Sequence, residues 1–363
     1  MKKIFVIVGT RPNFIKITQF KKYGAQFGFD IRVVHTGQHY DYKMAQVFFD
    51  QFKLEPDYFL EIPKSTQIDQ IAEVMKRLEK LFTDEQPDLV LVPGDVNSTF
   101  AAAFAANRMG ITVGHIESGL RSFDPAMPEE INRVLTDRIT DMYFVTEQSG
   151  LDHLTTEGVP EEKIHFVGNT MIDTMCAFEQ EIEESPIIDQ LQLEGSPFIL
   201  MTMHRPRNVD QQNQIDKLIA LLGRLSERYR VVFPVHPRTR KLLEDAFEQA
   251  ENLSSDRIHL VEPMDYFSFQ KLIKYTDVII TDSGGIQEES TFRQVPCLTL
   301  RPNTERPVTI DIGTNTLLPF DLDLVDSYLK KIESGEYKQG QIPPQWDGHA
   351  TERILEAIQA QLS

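Results

Sequence analysis

The chain has 363 residues, room for roughly two domains of about 150 residues, each able to bury its own core, so a disulfide-stapled mini-protein is excluded. Its 37 basic and 55 acidic residues leave a net charge of −18, which opposes non-specific attachment to a nucleic-acid backbone or an anionic membrane; any phosphate site has to be local. Apolar residues make up 41%, and no apolar run approaches the ~20 residues needed to cross a bilayer.

The first segment, MKKIFVIVGTRP, has the two lysines of a secretory leader, but Ile4–Val8 is too short for its apolar region and Arg11-Pro12 follows without a small-residue cleavage site. It reads as a buried strand. Cys176 and Cys297 are too few for a disulfide framework or a CxxC metal knuckle and suit a reducing compartment, so a cytoplasmic location is expected.

Short β-branched runs then alternate with amphipathic stretches: IFVIVGT, IRVVHTG, DLVLVPGD, ITVGHIES, DMYFVTE and KIHFVGN. Continuous apolar runs of this length, separated by helix-length segments, predict parallel strands covered on both faces. From about Pro197 the pattern restarts with FILMTMH, YRVVFPVH, RIHLVEP, DVIITDSGG and PCLTLR. The expectation is an α/β protein of two doubly wound, Rossmann-like domains, 1–183 and 184–346, with a ligand cleft between them. The acidic stretch 179–196 reads as a connector and hinge. The tail from Trp346 reads as a helix with Ile354, Ile358 and Leu362 on one face, packing back on the first domain.

Chemistry-bearing residues follow the predicted strands. Gly9-Thr10-Arg11-Pro12 opens a helix containing Lys16, so two cations and a helix N-terminus could hold an anion, although the turn could equally be solvated; GxGxxG and GxxxxGK[ST] are both absent. Asp95 precedes Asn97-Ser98-Thr99 and alone reads as a cap. His115 and Glu117 lead into Ser118-Gly119-Leu120-Arg121, and Pro128-Glu129-Glu130 is by itself an ordinary helix start. Together, Asp95, Glu117 and Glu129 or Glu130 place carboxylates at neighbouring strand ends, where they can exchange protons.

In the second half, His204-Arg205-Pro206-Arg207-Asn208 and His236-Pro237-Arg238 follow successive strands and suggest an anion site. Asp282-Ser283-Gly284-Gly285 leaves backbone N–H groups at a helix start, suited to a diphosphate, and Glu289 one turn later can accept both ribose hydroxyls. Thr304-Glu305-Arg306-Pro307 and Gly313-Thr314-Asn315 add a charged and a small-polar turn.

Taken in order, GTRP…IK, TGQH, GD, HIESGLR, PEEINR, HR…N, HP, DSGGIQEE, TERP and GTN resemble the non-hydrolysing UDP-N-acetylglucosamine 2-epimerases, whose two-domain fold is shared with GT-B glycosyltransferases. The resemblance implies that Asp95, Glu117 and Glu129 are the acid/base carboxylates, with His204 a further catalytic group. It implies that Arg11, Lys16, His236, Ser283, Gly284, Gly285 and Glu289 bind UDP, that Phe269 lies near the uracil and that Arg306 is an additional phosphate partner. The implied reaction removes the C2 proton of a UDP-2-acetamido sugar, expels UDP by anti elimination to a 2-acetamidoglycal, and adds UDP back after reprotonation on the opposite face. That chemistry needs no metal and no nicotinamide, and the resemblance also implies a homodimer; separately, a hinge between two similar domains predicts closure on the nucleotide.

Several positions depart from the family pattern. Asn13 stands where the family has glutamate, and HRPRN replaces HRREN, so that Arg207 inverts a charge. Tyr40-Asp41-Tyr42-Lys43-Met44 and Pro343-Pro344-Gln345-Trp346-Asp347-Gly348 look more like relatives acting on UDP-2,3-diacetamido-glucuronate or 6-deoxy amino sugars. Gln38 and His39 match the allosteric segment through which bacterial members sense a second UDP-N-acetylglucosamine. Asp41 and Pro63-Lys64-Ser65-Thr66 do not match, so weak or absent activation is expected. The alternatives are a modified-sugar 2-epimerase, a hydrolysing epimerase or GT-B glycosyltransferase, and a non-catalytic sensor, the last disfavoured by the presence of all three carboxylates.

Overall fold

In the computed structural model, every strand expected above forms, because each is an apolar run that only a two-sided burial can satisfy. Residues 1–37, 49–63, 65–205, 208, 211–235, 240, 243 and 255–362 are described, except for the side chains of Arg11 and Ser255. The chain divides into two compact units, Met1–Ala177 with Pro344–Ser363, and Phe178–Pro343.

The first unit holds β1 (Lys2–Val8), β2 (Phe29–His35), β3 (Tyr58–Phe59), β4 (Leu89–Pro93), β5 (Thr112–Ile116), β6 (Met142–Val145) and β7 (Ile164–Phe166). They pair in parallel in the order β3-β2-β1-β4-β5-β6-β7, so connections reverse direction between β1 and β4. At such a switch point loops diverge from adjacent strand ends and leave a crevice outside the carboxyl edge. Phe5, Ile7, Val90 and Val92 pack on Val74, Leu78 and Phe82 of helix Gln67–Glu85. That helix starts where Thr66 accepts a bond from the Asp69 N–H (3.2 Å), so Thr66 acts as its N-cap. The two-residue β3 escapes the sequence pattern because it is too short to show a period.

The second unit holds β8 (Phe198–Thr202), β9 (Arg230–Pro234), β10 (Ile258–Val261), β11 (Val278–Thr281), β12 (Cys297–Leu300) and β13 (Asn315–Leu318). The order is β10-β9-β8-β11-β12-β13, with the switch point between β8 and β11. Asn315, expected in a polar turn, instead opens β13, where its amide is buried and bonded to Thr299, Gln287 and Thr309. The acidic stretch 179–196, read above as a connector and hinge, packs within the second unit. Glu179 pairs with Lys274 (2.7 Å) and Arg293 (2.6 Å), while Ile187 and Leu193 join the apolar cluster under β8 and β11.

The last helix is Ala350–Leu362, starting four residues later than the sequence suggests. Its first N–H groups, Ala350 and Thr351, donate to the buried Asp173 (3.0 and 2.6 Å), and Ile354, Leu355 and Ile358 face the core. Trp346 lies before it, 1% exposed, with Nε1–H donating to the Thr146 carbonyl (2.9 Å). The tail is thereby fixed to the first unit. Trp346→Ala should destabilise that unit by about 3–5 kcal/mol, the cost of emptying a large aromatic site. Urea unfolding of wild type and variant checks this, and a difference under about 1 kcal/mol would reject the packing role.

Candidate active site

In the first unit the turns after β1, β4 and β5 meet at the switch point. Asn13, in the short helix Arg11–Ile15, reaches back so that its Oδ1 accepts from Gly9 N (3.3 Å), Thr10 N (3.1 Å) and Thr10 Oγ1 (3.0 Å). Its Nδ2 donates to the Pro93 carbonyl at the end of β4 (3.0 Å), pinning the two turns together. Lys16 Nζ lies 2.7 Å from both carboxylate oxygens of Glu117, and both side chains are almost wholly buried. Gly94 makes room for this pair: it has φ +71°, and a Cβ there would lie 3.1 Å from Lys16 Nζ. Glu117 itself is held at φ 73°, a left-handed conformation that costs a non-glycine residue about 1–3 kcal/mol and is retained where the surroundings impose it.

The surroundings that impose it centre on Asp137. Its Oδ1 meets His115 Nδ1 (2.7 Å), and its Oδ2 accepts from Gly119 N (3.0 Å) and Arg121 Nη1 (2.7 Å). His115 Nε2 meets the Gly94 carbonyl (2.8 Å), and Arg121 also grips Glu157. Burial pushes the Asp137 carboxyl up, but His115 and Arg121 together outweigh it and hold it below the usual carboxylate range. The residues on either side of Glu117 are therefore fixed to one buried anion.

Asp95 does not cap the following helix, whose N-cap is Val96 without a side-chain bond. It pairs with Arg133, which also grips Glu130. Glu130 accepts from Ser122 N (2.9 Å), Ser122 Oγ (3.0 Å) and Phe123 N (3.0 Å), so it organises the turn after β5, whereas Glu129 is exposed. This separates the two adjacent glutamates that the helix-start pattern left equivalent.

In the second unit the turns after β8 and β11 meet in the same way. Asp282 is completely buried and contacts His204 Nδ1 (3.0 Å), while the His204 side chain is 63% exposed. Ser283 is the N-cap of helix Gly284–Arg293, and its own N–H donates to Thr281 Oγ1 (3.0 Å). Arg306 sits beside this helix start, since a Cβ on Gly284 would lie 2.9 Å from Arg306 Nη1. It is engaged with Glu288 (2.6 Å) and Glu305, and the buried Arg301 bonds Glu305 from the other side (3.0 Å). Glu289 is buried and accepts from Gln270 Nε2 (2.7 Å), one residue beyond the half-buried Phe269.

Lys16, Asp95, Glu117 and Glu129 thus follow β1, β4 and β5 in the first unit, and His204, Ser283, Gly284, Gly285, Glu289 and Arg306 follow β8, β11 and β12 in the second. Gln38, His39 and His236, with Asp41, Lys64, Pro206 and Arg207, lie outside the described residues, as does the Arg11 side chain. The supporting groups that sequence reasoning missed are Asp137, Gln270 and Arg301, whereas Arg133, Asp282 and Glu305 stood inside the quoted motifs without an assigned role. For Asp137 and Arg301 the only signal was a charge within a helical or strand-end pattern, and Gln270 gave none.

Two parallel-sheet units, each with its candidate residues after the strands at or beside a switch point, define a GT-B-type protein of Rossmann-like halves. The sequence profile of the family UDP-N-acetylglucosamine 2-epimerase matches residues 21–359. The chain belongs to that family of carbohydrate epimerases. It is 40% identical over 340 residues to the UDP-N-acetylglucosamine 2-epimerase of Methanococcus maripaludis, covering 92% of each chain. It is 36% identical to the UDP-2,3-diacetamido-2,3-dideoxy-D-glucuronate 2-epimerase of Pseudomonas aeruginosa, covering 98% of this chain and 99% of that one. Among solved structures, Methanocaldococcus jannaschii UDP-GlcNAc 2-epimerase in complex with UDP-GlcNAc and UDP superposes with a TM-score of 0.88 at 35% identity over 99% of both chains.

The depressed Asp137 carboxyl gives a signed pH dependence. Its stabilisation is fully present above the unfolded carboxyl value of about 4 and is lost as the pH falls through the lower folded value. Asp137→Asn should cost about 3–5 kcal/mol at pH 7, the penalty for stripping one partner from a buried ion pair, and should lose less stability than wild type between pH 5 and pH 3. Denaturant titrations at those pH values check it; parallel losses would exclude Asp137 as the titrating group.

Proposed function

We propose that the chain interconverts UDP-N-acetylglucosamine and UDP-N-acetylmannosamine without releasing free sugar, serving the supply of polysaccharide precursors. The observation that carries this reading is the buried Lys16–Glu117 pair at the end of β5, with Glu117 in a strained backbone conformation. A C2 proton is weakly acidic, so its removal needs a base held in one place, and a lysine beside the base favours the negative charge that develops. Asp95, Glu117 and Glu129 supply the acid and base groups for the two faces of C2. As the C2–H bond breaks, its electron pair forms the C1–C2 double bond and the C1–O bond breaks, releasing UDP as an anion. Re-addition reverses these changes with the proton delivered to the opposite face.

On this reading the UDP is held by the helix start at Ser283, Gly284 and Gly285, by Arg306, and by Arg11, Lys16 and His236. Glu289 takes the ribose hydroxyls, Phe269 packs near the uracil and His204 completes the catalytic group. No metal or nicotinamide is required. A modified 2-acetamido sugar is the second reading, supported by the Pseudomonas aeruginosa relative, which is nearly as similar as those named for UDP-N-acetylglucosamine. Activation by a second nucleotide sugar is proposed to be weak, given Asp41 and the stretch at Lys64. A cytoplasmic setting suits a chain with only two cysteines, and no described helix is long and apolar enough to cross a membrane.

In deuterated buffer the product should carry solvent deuterium at C2, read by mass spectrometry across a panel of UDP-2-acetamido sugars; the sugar with the highest kcat/KM settles between the two readings. Absence of exchange with every member rejects the proposal. Glu117→Gln should lower kcat by about 10²–10⁴-fold, the range for a positioned acid or base, while UDP affinity measured by calorimetry is retained. We also propose a homodimer, supported by Phe104, Ile131 and Leu135, which are exposed on the packed helices Asn97–Arg108 and Pro128–Arg138. Leu135→Glu should convert the dimer to monomer in light scattering, and a wild-type monomer at micromolar concentration excludes the assembly.

A further inference from the structure

Asp282 ends β11 with no exposed surface, and four groups of one turn converge on its carboxylate. His204 N (3.2 Å), Arg205 N (3.0 Å) and Asn208 Nδ2 (2.9 Å) donate to it, and His204 Nδ1 lies 3.0 Å away. The Asp282 backbone carbonyl accepts from Arg205 Nε (3.1 Å), so the same residue holds the turn at two points. Burial pushes the Asp282 carboxyl up, but His204, Asn208 and the Arg205 N–H outweigh it and keep it below the usual range.

An ionised carboxylate only accepts hydrogen bonds. The proton of the His204 ring therefore sits on Nδ1, and in the neutral ring Nε2 is left as the proton-accepting nitrogen of a side chain that is 63% exposed. Asp282 is also bonded through the chain to Ser283, the N-cap of helix Gly284–Arg293. One buried anion thus sets the ring's tautomer, its orientation and its placement beside a helix start.

We propose that Asp282 is a positioning residue of the active site: it fixes His204 as the Nδ1–H tautomer, presents Nε2 for proton exchange, and registers that ring against the Ser283–Gly284 diphosphate turn. The inference rests on the proposed reading of His204 as a catalytic group. A proton taken up at Nε2 gives an imidazolium whose charge the carboxylate balances at Nδ1. That is the state best suited to stand beside a diphosphate as it departs and returns. The Asp282 proton inventory does not change in the cycle, since the carboxylate accepts the Nδ1–H bond throughout.

The test uses the full chain labelled with ¹⁵N-histidine at pH 8, with the His204 resonances assigned from the spectrum of His204→Gln. The wild-type ring should be the Nδ1–H tautomer, and Asp282→Asn should shift it toward Nε2–H, because an amide can present a donor to Nδ1. The same variant should lower kcat by about 10²-fold, within the range for a general acid–base group, with KM and UDP affinity changed by less than about threefold, as for an interaction made only in the transition state. Since the two residues act as one unit, the double variant should lose no more than His204→Gln alone. A wild-type Nε2–H tautomer, an unshifted tautomer in Asp282→Asn, or additive losses in the double variant each overturn the proposal. If Asp282→Asn does not fold, the wild-type tautomer alone decides. Undiminished kcat in His204→Gln, with the tautomer shift still present, overturns the catalytic reading of His204 and the positioning role that depends on it.

Discussion

A carboxylate taken out of water keeps its charge only if donors replace the lost solvent, and each half of this protein is organised around such a group. In the first unit it is Asp137, which meets His115, Arg121 and the Gly119 N–H. In the second it is Asp282, which gathers His204, Arg205 and Asn208. The donors to Asp137 come from β5 and the turn after it, and those to Asp282 from residues after β8, so satisfying each anion also decides where those loops lie. Because the cost of leaving any donor out is high, the loops have little freedom to drift, and the groups they carry inherit that precision.

The same economy explains the backbone around Glu117. A glutamate at φ 73° is unfavourable by itself, but its neighbours are fixed on both sides, His115 through Asp137 and Gly94, and Gly119 through Asp137. The strain is the consequence of aiming one carboxylate at Lys16 from the end of a strand. Gly94 at φ +71° supplies the space for that ammonium. Stability is given up at one residue so that its carboxylate is pre-positioned, a distribution usual for functional sites.

Asn13 shows how a departure from the family pattern can preserve a function. A glutamate in that place could reach back to accept from the Thr10 N–H, as in a capping box. The asparagine does this and also donates to the Pro93 carbonyl, a bond that a carboxylate cannot make. Trp346 is a second case. Its segment resembles relatives with modified substrates, yet its ring is spent on locking the tail to Thr146 and the core of the first unit.

The alternation of apolar runs and amphipathic stretches was enough to determine an α/β chain with two parallel sheets, because burial on both faces leaves no other use for runs such as LVLVP and VIIT. Residues at strand ends were legible as candidates for the same reason: a parallel sheet exposes its carboxyl edge to loops that can carry chemistry. The short β3, the start of β13 and the packing of 179–196 were not legible, since two residues show no period and polar residues such as Asn315 become strand only when partners are brought to them. Glu129 and Glu130 are equivalent in the linear pattern, and only Arg133 and the Ser122 turn separate the structural one from the exposed one. What tertiary structure alone decided is which charge is paired with which, because pairing depends on distances of about 3 Å between groups that can be more than a hundred residues apart, a quantity that no local spacing encodes.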